Sequence, residues 1–324
     1  MAAIKHGSPE TLRSTFPSTS VTAWTSAVMG AEPAEHGLLG NVFRLPGTSR
    51  VVDVLSGRAY SWTDAADWDD HPIRLSTLFE RAADAGARPI VVGREFDGLR
   101  GPWPVELFRG AERVTEAAPG DLPVAAPAVA RSVIAQVNEV LAAPQTAQSN
   151  RPLLLWAYVN LDVHIHLHGN DDALLEAVRL LDEAAAGWAD AGWDVVSHAD
   201  HGHTEVVRAP ELERALAAAD TPDHCRLPGG GAGRVRWLYP RPDQAERVAA
   251  TLREELADCA LVTTPAELAG RGLLSAAAAS SRRLGEIVLV ATAATFPIPS
   301  ADYRYDHGAL TDEELFIPFI SWRR

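Results

Sequence analysis

Apolar positions in this chain of 324 residues fall into two alternating patterns. Short runs of β-branched and aliphatic residues recur at Val51-Val52-Asp53-Val54-Leu55, Pro89-Ile90-Val91-Val92, Leu153-Leu154-Leu155-Trp156-Ala157-Tyr158, Trp193-Asp194-Val195-Val196 and Ile287-Val288-Leu289-Val290. Their length and continuity predict strands buried on both faces. The gaps carry helical spacing, most clearly from Asp171 to Ala189. There Leu174, Leu175, Val178, Leu181, Ala185 and Trp188 form one stripe, while Asp172, Glu176, Arg179 and Glu183 lie elsewhere. This alternation predicts an α/β fold, a layered α/β/α sandwich around a mostly parallel central sheet. The length suits a single domain over 1–324, with smaller elaborations around 94–130 and 205–285.

Two segments read as punctuation. Ala117 to Ala130 is rich in Pro and Ala, and Leu227 to Gly233 contains Pro-Gly-Gly-Gly-Ala-Gly. The glycine run has no GxxxxGK[ST] pattern, so it predicts a flexible loop and not a phosphate cradle. The formal net charge of -14 repels polyanions and no basic run offsets it, which argues against extended nucleic acid as a partner. A small phosphate ester stays compatible, because a bound dication reverses the field within one pocket. Cys225 and Cys259 form no CxxC pair and read as free thiols. The first residues, MAAIKHGSPETLRSTF, lack an apolar signal region, and no run reaches the ~20 apolar residues of a membrane span, so the expectation is a cytoplasmic protein with no membrane partner.

Histidine and aspartate are concentrated in three places: Asp162-Val163-His164-Ile165-His166-Leu167-His168-Gly169, His198-Ala199-Asp200-His201-Gly202-His203 and Asp306-His307-Gly308. The first two follow predicted strands, and ligands of open α/β sheets bind beyond the carboxyl ends of strands, so distant segments can share one crevice. Imidazole with carboxylate suits zinc and related first-row metals. So many such groups in one crevice would be costly without a cation. Near the N-terminus, Phe16-Pro17-Ser18-Thr19-Ser20 leads into a helical stretch and then Pro33-Ala34-Glu35-His36-Gly37-Leu38-Leu39-Gly40-Asn41. A hydroxyl at a helix start can be a cap or a nucleophile.

In order, the chain shows a hydroxyl-bearing turn, xxPxxHG, Asp-x-x-x-His-x-x-Gly, Ala-Asp-His-Gly and a late His-Gly-x-Leu-Thr. That series resembles the type I phosphodiesterases and nucleotide pyrophosphatases of the alkaline phosphatase superfamily. The resemblance implies an alkaline phosphatase-like fold and a metal-dependent hydrolase of small phosphate esters. It implies that Ser20 is the nucleophile, forming a phosphoseryl intermediate, and that Asn41 holds a phosphate oxygen. It implies two divalent cations, zinc or else manganese: Asp162, His166 and His307 would ligate one, and Asp200 and His201, with Ser20, the other. His36 and Gly37 would shape a loop, and His164, His168, His198 and His203 would be extra, serving to fix ligand tautomers.

One departure stands out. Relatives carry a metal-binding Asp-Gly at the end of a first strand, upstream of the nucleophile turn, and here Glu10 is the only carboxylate before Ser20. The first strand is therefore expected to be missing, by a late start or by divergence, with the second metal site weak. Phosphomonoester or phosphonate hydrolysis, or a non-catalytic binding protein on the same scaffold, are the alternatives. Specificity would lie in loops such as Asp97 to Pro104, where Phe96 and Trp103 are candidates for stacking on a base or for packing.

Overall fold

The computed structural model describes residues 3–68, 73–93, 96, 99, 101–114, 125–147, 150–298 and 300–323. The five apolar runs are all strands, but most of their neighbours run antiparallel. Among the described residues only Arg88–Val92, with Glu112–Val114 on one side and Leu153–Ala157 on the other, forms a parallel sheet. The largest sheet has eight strands, in the order Ala260–Thr263, Ile287–Ala291, Val235–Pro240, Cys225–Ala232, Val42–Arg44, Val51–Asp53, Arg58–Tyr60 and Ala65–Asp67, every pair antiparallel. A third sheet sets Phe316–Trp322 between Ser8–Arg13 and Val195–His198, also antiparallel. The expected mostly parallel sheet is thus corrected. Ile287–Ala291 is buried at all five positions because it is central and covered on both faces, and that produces the same unbroken apolar run as a parallel strand.

The glycine run is a second correction. It lies within the strand Cys225–Ala232, paired to Val235–Pro240 through a tight turn. A Cβ on Gly230 would come within 2.2 Å of Trp237 Nε1 and 2.3 Å of Val42 O, so glycine here permits close packing between strands and is no sign of a loop. The segment Ala117 to Ala130 lies outside the described residues as far as residue 124, and helix Ala126–Ala142 starts within its end.

The helix expected from Asp171 spans Asp172–Asp190, with the Asp171 carboxylate accepting from Leu174 N at 2.8 Å as its N-cap. Leu174, Ala177, Ala185 and Ala189 are buried, whereas Leu175, one step round from Leu174, is 37% exposed. Both free cysteines are buried. Phe96 and Trp103 are enclosed in the main core, and Trp103 Nε1 donates to Thr25 Oγ1 at 3.0 Å, so the described part of their loop packs against helix Ser20–Met29. Asp97, Gly98 and Arg100 of that loop lie outside the described residues. No helix among the described residues is long and apolar enough to cross a membrane.

Three elements are aimed at one place by this arrangement. Helix Ser20–Met29 carries Trp24, whose ring is 5.3 Å from Trp156 and 5.6 Å from Tyr158, at the end of Leu153–Ala157. The same ring is 5.3 Å from His198, at the end of Val195–His198. The Ser20 turn and the two strand ends that lead to Asp162 and Asp200 are therefore gathered round one aromatic side chain.

Candidate metal centre

The segment after Leu153–Ala157 forms the short helix Asp162–His168. Positions four apart share a helix face, so Asp162 and His166 point the same way, with His166 Nε2 3.3 Å from Asp162 Oδ2. His164 points elsewhere: its Nε2 lies 2.9 Å from Asp171 Oδ1, at the start of the next helix, and its ring is 4.8 Å from that of His168. After Val195–His198, Asp200 Oδ2 is 3.2 Å from His201 Nε2, and the latter is 3.0 Å from Ser20 Oγ. His307 arrives from the C-terminal part of the chain, with its ring stacked on His201 at 3.6 Å and its Nε2 3.8 Å from Asp162 Oδ1.

The backbone fixes the tautomers. Nδ1 of His166 is 2.7 Å from Tyr305 O, Nδ1 of His201 is 3.1 Å from Gly202 O, and Nδ1 of His307 is 2.8 Å from Ser18 O. Each carbonyl accepts an Nδ1–H, so His201 and His307 as neutral rings keep the Nε2 lone pair and turn it inward, which is the arrangement metal-binding imidazoles use. On His166 burial lowers the pKa, but the Nε2 hydrogen bond to Asp162 outweighs it and raises it. Tyr303 stacks on His166 at 3.8 Å and holds the ring's other face.

The loop carrying His307 is wedged in place. Arg234 N donates to His307 O at 2.7 Å, Gly308 N donates to Ser18 Oγ at 3.2 Å and Ala309 N donates to Glu314 Oε1 at 2.9 Å. Glu314 also accepts from Arg234 Nε at 3.1 Å, and both side chains are fully buried. A Cβ on Gly308, at φ 120°, would come within 1.9 Å of Ala232 O. Composition and spacing gave no hint of the Arg234–Glu314 pair. The available signal was the Thr311-x-x-Glu314 pattern, which forms a capping box here.

Ser20 is the first residue of its helix and the Thr19 N-cap makes no side-chain cap. Instead Thr19 Oγ1 donates to Asn41 Oδ1 at 2.9 Å, which leaves the Asn41 NH2 as a donor. Asn41 is held by its backbone too, through Asn41 N to Gly231 O at 3.2 Å and Val54 N to Asn41 O at 2.9 Å. His36 stands apart from the cluster: Leu38 N donates to its Nδ1 at 3.1 Å and its Nε2 meets Ser26 Oγ at 2.9 Å. Glu10 is exposed on Ser8–Arg13 and does not join the cluster.

Charge in the centre is unbalanced. Burial opposes ionisation of Asp162, but hydrogen bonds from His166 and His203 and the nearby imidazoles outweigh it and hold the carboxyl well below its usual range. Burial and the charge of Asp162 together raise Asp200. Burial also pushes Asp306 up to about 6, and its Oδ2 is buried with no hydrogen-bond partner. Burial lowers His201 to about 3 and drives His307 well below its ordinary value, so both are neutral donors. Three crowded carboxyls, one of them with a buried oxygen that has no partner, beside the neutral imidazoles of His201 and His307 fit a bound dication.

The type I phosphodiesterase/nucleotide pyrophosphatase pattern matches residues 1–309. The chain belongs to that family. No curated protein sequence matches it. Among solved structures, phosphonoacetate hydrolase from Sinorhizobium meliloti 1021 is similar in fold. Its phosphonoacetate complex is 20% identical with a TM-score of 0.68, covering 99% of this chain and 83% of that one. An inactive form of murine ectonucleotide pyrophosphatase/phosphodiesterase 5 in complex with AMP is 15% identical with a TM-score of 0.66, covering 99% and 81%. The expected alkaline phosphatase-like α/β fold holds at this level, with the strand directions corrected above.

Proposed function

We propose that this family member hydrolyses small phosphate diesters or pyrophosphates, with Ser20 as nucleophile and divalent cations, zinc or manganese, held by Asp162, His166 and His307 on one side and Asp200 and His201 on the other. The observation that carries the reading is the position of Ser20 Oγ: it is 3.0 Å from His201 Nε2, within hydrogen-bonding reach of Asp200, and at the N-terminus of a ten-residue helix. Cations bound there would lower the pKa of a coordinated hydroxyl and neutralise developing charge on phosphorus oxygens. The helix N-terminus adds free backbone N–H groups for the same oxygens. The Asn41 amide, oriented by Thr19, supplies a further donor to a non-bridging oxygen. Ser20 Oγ bonds to phosphorus as the bond to the leaving alcohol or phosphate oxygen breaks, and that leaving oxygen takes up the proton Ser20 gives up. Water then cleaves the phosphoseryl ester to restore the Ser20 hydroxyl and release the phosphate product. Free buried thiols at Cys225 and Cys259 fit a reducing compartment such as the cytoplasm.

The test is hydrolysis of a p-nitrophenyl nucleotide diester, p-nitrophenyl phosphate and phosphonoacetate by metal-loaded and chelator-stripped protein. Preference for the diester, lost on stripping, supports the proposal. Preference for the monoester or for phosphonoacetate moves the chain to another reaction of the superfamily, and no turnover of any of them by metal-loaded protein supports the non-catalytic alternative.

A further inference from the structure

Arg234 and Arg236 stand two residues apart at the start of the strand Val235–Pro240, so both side chains leave the same face of the large sheet. Their surroundings differ. Arg234 has Glu314 and the carbonyl of Ala293 as partners. Arg236 makes no side-chain hydrogen bond and no ion pair among the described residues; its Nε is enclosed without a partner, whereas its two Nη atoms are not enclosed. Burial lowers its pKa while Asp220, Tyr60 and Asp306 pull the other way, and the guanidinium remains a cation. Asp220 is engaged elsewhere, since both its oxygens accept from Gly229 N, at 2.9 and 3.0 Å. A half-buried cation with no partner is costly, and departures of that kind are kept where function uses them.

The side chain is also aimed. In register Arg236 pairs with Gly231, Gly231 with Val42, and Val42 with Asp53. A Cβ on Gly231 would come within 2.8 Å of Arg236 Cδ and 3.2 Å of its Nε, so the side chain lies across the glycine, on the side of Val42. Gly231 O accepts from Asn41 N at 3.2 Å, and Asn41 is the residue whose amide is proposed to hold a phosphate oxygen. The turn beyond Gly231 touches the metal centre, where a Cβ on Gly233 would come within 2.2 Å of His307 O and 2.9 Å of Asp306 Oδ1. Tyr60 shares the face of Arg236, being two residues from Arg58, the partner of Asp53 in the same row. Its hydroxyl has no hydrogen-bond partner among the described residues, and the Arg236 charge opposes the rise that burial causes in its pKa.

We infer that Arg236, with the Tyr60 hydroxyl beside it, holds a second phosphate of the substrate, so that the site selects pyrophosphate esters over diesters carrying one negative charge. This rests on the proposed hydrolytic reading and chooses between the two substrate types that reading leaves open. A guanidinium with its stem packed on the sheet and its fork open matches the paired oxygens of a phosphate. In a chain with a net charge of -14 it is a local exception that favours an anion in this one cleft. The competing role is structural, a cation that only balances Asp220 and Asp306 within the fold.

The experiment uses metal-loaded full chain and two substrates with the same nucleoside: the p-nitrophenyl ester of thymidine monophosphate, with one negative charge, and thymidine triphosphate. The ratio of kcat/KM for the triphosphate to that for the diester is compared in the wild type, Arg236→Gln, Arg236→Lys and Tyr60→Phe. It should fall on the order of 10- to 100-fold in Arg236→Gln, recover in part in Arg236→Lys, and fall by less in Tyr60→Phe. A structural role would lower both substrates alike and leave the ratio unchanged. Inhibition of diester hydrolysis in the wild type needs no variant to fold, and thymidine diphosphate should inhibit at concentrations about ten-fold lower than thymidine monophosphate. Equal inhibition by the two, or an unchanged ratio in Arg236→Gln, would overturn the inference and leave the hydrolytic reading intact. Metal-loaded wild type that turns over neither substrate would overturn both.

Discussion

His36 makes the protein acid-labile in a way that can be calculated. It is 3% exposed, and burial, with the nearby Arg283 charge second, pushes its pKa down to about 4 from an ordinary value of 6.5. The hydrogen bonding agrees: Nδ1 accepts from Leu38 N at 3.1 Å, so protonating it would set two N–H groups against each other. An unfolded chain takes up this proton near pH 6.5 and the folded one near pH 4, so the unfolded state binds more protons between those values. Stability is therefore full above about pH 6.5 and falls as the pH drops toward 4. At 1.36 kcal/mol per pKa unit the whole effect is about 3 kcal/mol, of which about 2 kcal/mol is already lost at pH 5. His36→Asn keeps an acceptor for Leu38 N–H and removes the titration. Urea unfolding of both proteins, metal-stripped, at pH 7.5 and pH 5 should show the wild type losing about 2 kcal/mol more than the variant. Acid-induced losses at His201 and His307 occur in both proteins and cancel in the difference. Parallel losses, within the error of the extrapolation, would show that His36 is not held neutral in the folded state and that the account of this loop is wrong.

Ser20→Ala should abolish turnover while leaving bound metal and thermal unfolding close to wild type, and Thr19→Ala should lower turnover only through the loosened Asn41 amide; the reverse ranking in initial-rate assays would move the nucleophile by one residue. Activity should vanish after prolonged chelation and return with zinc or manganese, and His166→Ala and His307→Ala should both reduce metal per chain after desalting; turnover by protein shown to be metal-free would remove the central reading. Glu314→Ala leaves Arg234 buried and unpaired, so it should cost about 3–5 kcal/mol in urea unfolding, where a loss below about 1 kcal/mol would mean that the pair contributes nothing specific. Gly308→Ala should displace the His307 loop, because its Cβ cannot be accommodated 1.9 Å from Ala232 O, and metal uptake should fall with it; unchanged uptake would show that the loop adapts.

The parts of the site that could be read along the chain are those set by local spacing. Asp162 and His166 are four apart on a helix, Asp200 and His201 follow a strand end directly, and Ser20 begins a helix, so each pair's placement needs only local geometry. Strand direction was not readable in the same way. Val51–Asp53 and Ile287–Ala291 are covered on both faces, and coverage, unlike hydrogen-bond direction, is what an apolar run records. The glycines at 229–231 carried the opposite difficulty, since the same residue type serves a loose turn or a tight inter-strand contact, and only Trp237 and Val42 across the sheet decide which.

The histidines show the division most clearly. Their number, and their clustering beside aspartates after strands, came from the sequence alone, and so did the family they belong to. Which of them face the centre was settled by the partner each one meets: His164 turns to Asp171 at the start of the next helix, whereas His203 reaches 41 positions back to Asp162, and His307 is positioned by Ser18, 289 residues before it. A side chain's direction depends on what it packs and bonds against once the strands have been brought together, and spacing along the chain carries no information about those contacts.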